Sequence, residues 1–138
     1  MLVLVVNAGS SSLKCQLLET ESKKTSAKVL GQRLGTPGAT LKIDFANDGK
    51  EVEYPDLTVV GALDKVIDAL ENDPNSPVES LQDIAAIGNR IVSGGEYFTH
   101  SVLVDDRVLE LVEECSALAP LHNPAAAAGI SDLRKLLP

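Results

Sequence analysis

Apolar residues recur along this chain in two rhythms, and each change of rhythm marks an element. Leu2, Val3, Leu4, Val5 and Val6 form an unbroken apolar run rich in β-branched side chains. Such a run predicts a strand buried on both faces, in the central position of a sheet. Leu13, Cys15 and Leu17 then alternate with Lys14, Gln16 and Leu18, the period of a second, antiparallel strand and hence of a β-hairpin. Leu13, Leu17 and Leu18 would also suit one turn of helix. A third strand is expected near 27–34, broken by Gly35-Thr36-Pro37-Gly38. Residues 40–45 and 50–54 flank Ala46-Asn47-Asp48-Gly49, whose Asp-Gly pair signals another hairpin.

From Leu57 to Leu70 the rhythm lengthens. Val59, Leu63, Val66, Ile67 and Leu70 make a helical stripe, with Asp64 and Asp68 on other faces. Asn72-Asp73-Pro74-Asn75-Ser76-Pro77 stops it, and at six residues this is a loop, too short for a domain boundary. Ile84-Ala85-Ala86-Ile87 reads as a second buried strand, running through Gly88-Asn89-Arg90-Ile91-Val92 to Ser93-Gly94-Gly95. Asp105 fits the N-cap of a helix through Cys115, with Val108, Leu111, Val112 and Cys115 on one side. Asn123 and Pro124 fit the N-cap and first residue of a last helix through Leu136. No repeat is present. Strands, helix, strand, helix, helix is an α/β order, and it leaves the second buried strand without a neighbour on one side.

A length of 138 residues suits one domain, able to bury about two-thirds of its unfolded surface. With two Phe, two Tyr and no Trp, the core must be aliphatic. The net charge of −8, with no basic run, argues against a nucleic-acid partner. Cys15 and Cys115 lack metal-ligand spacing and suggest free thiols in a reducing compartment, although a single disulfide stays open. The opening apolar run of five residues has no basic flank, so neither a signal peptide nor a membrane span is expected, and the cytoplasm is the default location.

Three stretches carry chemistry. The first strand ends in Asn7-Ala8-Gly9-Ser10-Ser11-Ser12, a cluster of turn-formers followed by Lys14. Gly9 permits a positive φ or a close approach by a ligand. Serine hydroxyls, backbone N–H groups and a mobile cation suit an anion such as a phosphate oxygen. A plain hairpin turn explains the same residues, and Asn7 is equally an Asx-turn residue or a group orienting a water on a metal ion. A P-loop does not fit, because the second glycine is absent and Lys14 is followed by Cys15. Arg90 interrupts an apolar strand, where an unpaired guanidinium is costly to bury. It is either a solvated surface residue or a binding group, and the adjacent Gly94-Gly95 turn favours the second. His122 sits between Pro120 and Pro124 on a stiff backbone, in a structural role or aimed at a site. His100 reads as surface.

Leu2–Lys14, the Arg90 segment and Leu118-Ala119-Pro120-Leu121-His122-Asn123-Pro124 together resemble the acetate kinase family, part of the acetate and sugar kinase, chaperone and actin superfamily. The resemblance covers essentially the whole chain and about the first third of a family member. It implies an α/β fold: a ribonuclease H-like mixed β-sheet with flanking helices, one lobe of an actin-like ATPase, ending before its last strand. Residues 1–138 would then be an amino-terminal kinase lobe, with the nucleotide-binding lobe beyond it. The implied activity is reversible transfer of the ATP γ-phosphoryl group to acetate, with Mg2+ or Mn2+ as cofactor. Asn7 matches the magnesium-linked asparagine, and Ser10, Ser12 and Lys14 match phosphate-handling positions, with Lys14 on the nucleotide side. Arg90 matches the arginine that contacts the acetyl carboxylate, Val92 and Leu121 match positions around the methyl group, and His122 matches a histidine that stabilises the phosphoryl group in flight.

Asn89 and Ser93 depart from the family, which commonly has histidine at both places. The catalytic aspartate, a second arginine, a second histidine and the adenosine site would lie beyond Pro138, so the chain alone is expected to be inactive. A homodimer would form mainly through that other part. Alternatives are a propionate or butyrate kinase, or a non-catalytic phosphate-binding domain. The kinase reading requires Lys14 and Arg90 to face a common cleft.

Overall fold

The computed structural model describes residues 1–9, 11–45, 49–90, 100–114, 127, 129–131 and 133–134. In chain order these form β1 (Leu2–Ala8), β2 (Leu13–Glu19), β3 (Thr25–Gln32), β4 (Thr40–Asp44) and β5 (Glu51–Glu53). Helix α1 (Val59–Asn72), a single 3-10 turn (Leu81–Asp83), β6 (Ile84–Asn89) and helix α2 (Asp106–Glu114) follow. The six strands lie in one mixed sheet of order β5-β4-β3-β2-β1-β6. β1 to β5 are an antiparallel meander, and β6 returns parallel to β1.

The period-two alternation of β2 decides its conformation. Leu13, Cys15 and Leu17 are buried while Lys14 and Gln16 are exposed, so the strand pattern prevails over the helical alternative. β1 corrects one expectation. Among the described residues it is second from the β6 end of the strand order, and its two faces differ: Leu4, Val6 and Ala8 are buried, whereas Val5 is 37% exposed. A continuous apolar run does not reveal which side the helices will take.

α1 takes the inner side. Thr58 caps it, its hydroxyl accepting from the Gly61 N–H at 3.0 Å. Val59, Ala62, Leu63, Val66, Ile67 and Leu70 form the buried stripe, at spacings of three and four residues. Each fully buried aliphatic side chain contributes about 1.5–3 kcal/mol by leaving water. The helix stops at Asp73, whose extended backbone is the conformation favoured before Pro74. Ser80 and Asp83 then cap each other in a reciprocal box that launches β6, a device the apolar pattern does not announce.

The segment holding Ala127, Gly129, Ile130 and Leu133 is helical and lies on α1. A Cβ on Gly129 would stand 3.2 Å from Leu63 Cδ1, so the glycine lets the two helices approach closely. Arg134 pairs with Asp106 at 2.9 Å, tying this segment to the start of α2. Asp105 caps α2 as the sequence suggests, its carboxylate accepting from the Val108 N–H at 2.8 Å. Cys15, on the inner face, has its thiol pushed up to about 12 by burial and is therefore inert at neutral pH. Among the described residues, no helix is long and apolar enough to cross a membrane.

Candidate functional site

The turn between β1 and β2 is closed by the Gly9 N–H, which donates to the Ser12 carbonyl at 2.9 Å. Gly9 is not among the residues with positive φ. Its role is space: a Cβ there would meet Ser12 Oγ at 2.6 Å, so the Ser12 hydroxyl folds back over the glycine. The Leu34 N–H donates to the Ser11 carbonyl at 2.9 Å, and this bond ties the turn to the chain leaving β3. The turn is thus braced by backbone, and its side chains are left for other work.

Register then sets three polar side chains in a row. Asn7 on β1 is directly opposite Lys14 on β2, so the two share a face. On the other side of β1, Val6 pairs with Asn89, and the Arg90 N–H donates to the Val6 carbonyl at 3.1 Å. The parallel register continued by one residue puts Arg90 beside Asn7, on the face opposite α1. Lys14 and Arg90 accordingly flank Asn7, about 10 Å apart across two strand spacings. They do not lie on opposite sides of the sheet. Both cations are exposed and Asn7 is half-buried.

Among the described residues, no carboxylate pairs with Lys14 or Arg90. Two unneutralised cations on either side of a neutral amide, in a chain of net charge −8, form a local anion-attracting point. It stands at the carboxyl ends of the parallel pair β1 and β6, where ligands of α/β sheets bind. For a metal ion the same row offers a single uncharged oxygen, that of Asn7. No group of three or more His, Cys, Asp or Glu that could hold a metal occurs among the described residues. An amide oxygen such as that of Asn7 can serve as one ligand of a divalent cation that keeps most of its own waters.

Ser12 is half-buried in the turn next to this row. Ser10, Val92, Leu121 and His122, with Ser93, lie outside the described residues. One further polar group stands out beside this row. Asn89 pairs with Val6 and so belongs to the inner face; its Nδ2 and Oδ1 are both buried and have no hydrogen-bond partner among the described residues. An unsatisfied buried polar group costs about 1–3 kcal/mol. An asparagine inside an apolar strand is the only hint of this in the sequence.

The model of the acetokinase family matches residues 2–138. An acetate kinase of Desulfitobacterium hafniense (strain DSM 10664 / DCB-2) is 48% identical over 141 aligned positions, covering all of this chain and 35% of the relative. An acetate kinase of Thermosipho africanus is 44% identical over 140 positions, with 34% of its length covered. Among solved structures, Porphyromonas gingivalis acetate kinase superimposes with a TM-score of 0.85 at 40% identity, over 99% of this chain and 35% of that one. A propionate kinase from Francisella tularensis gives 0.84 at 31% identity, over 98% and 34%. The chain spans about a third of the length of these relatives.

Proposed function

Since the chain belongs to the acetokinase family, we propose that it forms the amino-terminal lobe of a kinase that moves the γ-phosphoryl group of ATP reversibly onto acetate. The observation that carries this reading is the row Lys14, Asn7 and Arg90 on one sheet face at the carboxyl end of β1. Arg90 presents a planar fork that suits a carboxylate, and it holds and orients the acid. Lys14 and the serine turn take up phosphate oxygens, and Lys14 offsets charge on them. A divalent cation bound with ATP would neutralise charge spreading over the transferring group, with Asn7 as one of its oxygen ligands. Ser10 belongs to the phosphate turn, Val92 and Leu121 line the methyl pocket and His122 steadies the phosphoryl oxygens; the family resemblance alone supports these four roles.

Catalysis needs groups from the remainder of a full-length relative, including an aspartate and the adenosine site. Holding both substrates supplies about 7–11 kcal/mol of a barrier, and one lobe cannot hold both. The chain by itself is therefore expected to form no acetyl phosphate in a coupled assay.

The test of the site uses the longer enzyme. Arg90→Ala is expected to raise KM for acetate by about 10- to 150-fold, the equivalent of one charged hydrogen-bonded pair at about 1.5–3 kcal/mol, with KM for ATP little changed. An unchanged KM for acetate would remove Arg90 from the site. The likeness to a propionate kinase favours a second reading, in which the same row serves a longer acid. Substrate profiling against acetate, propionate and butyrate separates the two.

A further inference from the structure

The turn between β1 and β2 is steadied from outside the hairpin. Among the described residues, one hydrogen bond reaches it from elsewhere in the chain, that from the Leu34 N–H to the Ser11 carbonyl at 2.9 Å. Leu34 is itself firmly anchored. Its side chain is 3% exposed and lies over Gly31, where a Cβ would stand 3.1 Å from Leu34 Cδ1 and 3.4 Å from Leu13 Cβ. The backbone on either side of it is left-handed, with φ of 51° at Arg33 and 81° at Gly35. That conformation is unfavourable for arginine and persists only where the surroundings hold it. Here the Thr36 N–H and hydroxyl both donate to the Arg33 carbonyl, at 3.2 and 2.6 Å, and the Gly35 N–H donates to the Leu57 carbonyl at 2.6 Å. Asp56, with φ of 63°, donates its N–H to the Thr36 carbonyl at 2.9 Å. The strained bend thus ties the serine turn to the residue before the Thr58 cap of α1. The Arg33 guanidinium turns toward Gly38, so the bend uses the backbone of this residue and not its charge.

We propose that Leu34 is a positioning residue for the phosphate turn, held in place by the left-handed bend at Arg33. A carbonyl engaged by the Leu34 N–H cannot swing its lone pairs toward a bound anion, which they would repel. The neighbouring N–H groups and hydroxyls are then left to face the phosphate oxygens, with no reorganisation needed when the ligand arrives. The inference rests on the reading of this turn as a phosphate site. It adds residues outside the turn, Gly31, Arg33 and Leu34, that act on the ligand only through the shape of the turn.

The test uses steady-state kinetics of the longer enzyme, with hydrogen exchange of the segment 31–36 as a second readout. Arg33→Gly removes the side chain and keeps the left-handed backbone; Arg33→Val removes the same charge and opposes a positive φ. Arg33→Val is expected to raise KM for ATP by about two- to tenfold, the range of one neutral hydrogen bond. KM for acetate should change little, and exchange in the segment should speed up. Arg33→Gly should leave KM for ATP and the exchange as they are in the parent. Gly31→Ala, whose methyl crowds Leu34 Cδ1, is expected to act like Arg33→Val without touching a charge. Val66→Ala, a buried truncation on α1, should lower the melting temperature and leave KM for ATP unchanged, which separates positioning from general loosening. An equal rise in Arg33→Gly and Arg33→Val would make the guanidinium the group that matters and overturn the proposal. So would an unchanged KM for ATP in both Arg33→Val and Gly31→Ala, or an equal rise in Val66→Ala. Failure of the phosphate-turn reading shows elsewhere, as an unchanged KM for ATP in Lys14→Ala, and it overturns this inference with it.

Discussion

The two faces of the β1–β4 region are built from alternate residues of the same strands, yet they obey different rules. The inner face, with Leu4, Val6, Leu13, Cys15, Leu17 and Val29, is buried beneath α1. The outer face carries Val5, Asn7, Lys14, Gln16, Lys28 and Lys42, and Val5 is 37% exposed. Inner positions hold the sheet together, while outer positions present charge at the end where the parallel strands finish. A change of one residue along a strand therefore moves a substitution from stability to recognition. Parity, more than distance from the turn, decides which property a mutation touches.

That contrast is broken most directly from the inner side. Leu63 is fully buried and also faces Gly129, so Leu63→Ala leaves a cavity under both helices. It should cost about 2–5 kcal/mol in denaturant unfolding. Val5→Ala on the outer face should stay within about 0.5 kcal/mol. Equal losses at the two positions would mean that the outer face is covered in solution. Asn89 sharpens the comparison with the opposite sign, because it is the polar intruder on the inner face. Asn89→Leu keeps the branching and the number of side-chain heavy atoms and removes two unsatisfied atoms, so unfolding should become more costly, by up to about 1–3 kcal/mol. A loss of stability instead would show that a bound water or a neighbouring group satisfies the amide.

Gly9→Ala acts on neither face but on the turn between them. The new methyl forces Ser12 Oγ from its place, at a cost near that of one displaced rotamer, about 0.5–1.5 kcal/mol. Phosphate affinity at the turn should fall while the melting temperature moves little. An unchanged affinity would show that the Ser12 hydroxyl is not among the phosphate ligands.

Much of this arrangement was legible beforehand, and for identifiable reasons. Alternation at Leu13, Cys15 and Leu17 favours a strand with one wet face, and the burial of Cys15 between exposed Lys14 and Gln16 decides against the helical turn that Leu13, Leu17 and Leu18 would also suit. The stripe of α1 and the cap at Asp105 likewise follow from local chemistry, whereas the Thr58 cap of α1 emerges only in the structure. The position of β1 was not legible, because Leu2–Val6 is apolar at every residue and its pattern cannot tell a strand covered on two faces from one covered on one. The bond from Leu34 to the serine turn was equally hidden. Leu34 and Ser11 lie apart in the chain and meet only through the register of β2 and β3, which depends on turn lengths and not on any motif. For Gly9 the sequence allows a positive φ or a close approach by a ligand; the structure shows no positive φ there, and the close contact it shows is with Ser12 Oγ.

The smallest effect comes from the other end of the β1–β2 pair, where no ligand is proposed. Glu19 accepts a hydrogen bond from the Met1 amine, which holds its carboxyl below the ordinary 4.5, helped by the Glu21 N–H. The same bond raises the amine above its ordinary 8.0. A carboxyl lowered in the folded state adds stability that is present above 4.5 and lost as pH falls through the folded value. An amine raised in the folded state adds stability that is present below 8.0 and lost as pH rises through its folded value. Together they give a shallow plateau bounded on both sides, and solvent exposure keeps it small. Glu19→Gln should flatten both edges in a pH series of unfolding midpoints, and added salt should do the same in the parent protein. A profile with both edges unchanged in Glu19→Gln would assign the pH dependence to other groups and leave this strand end electrostatically silent.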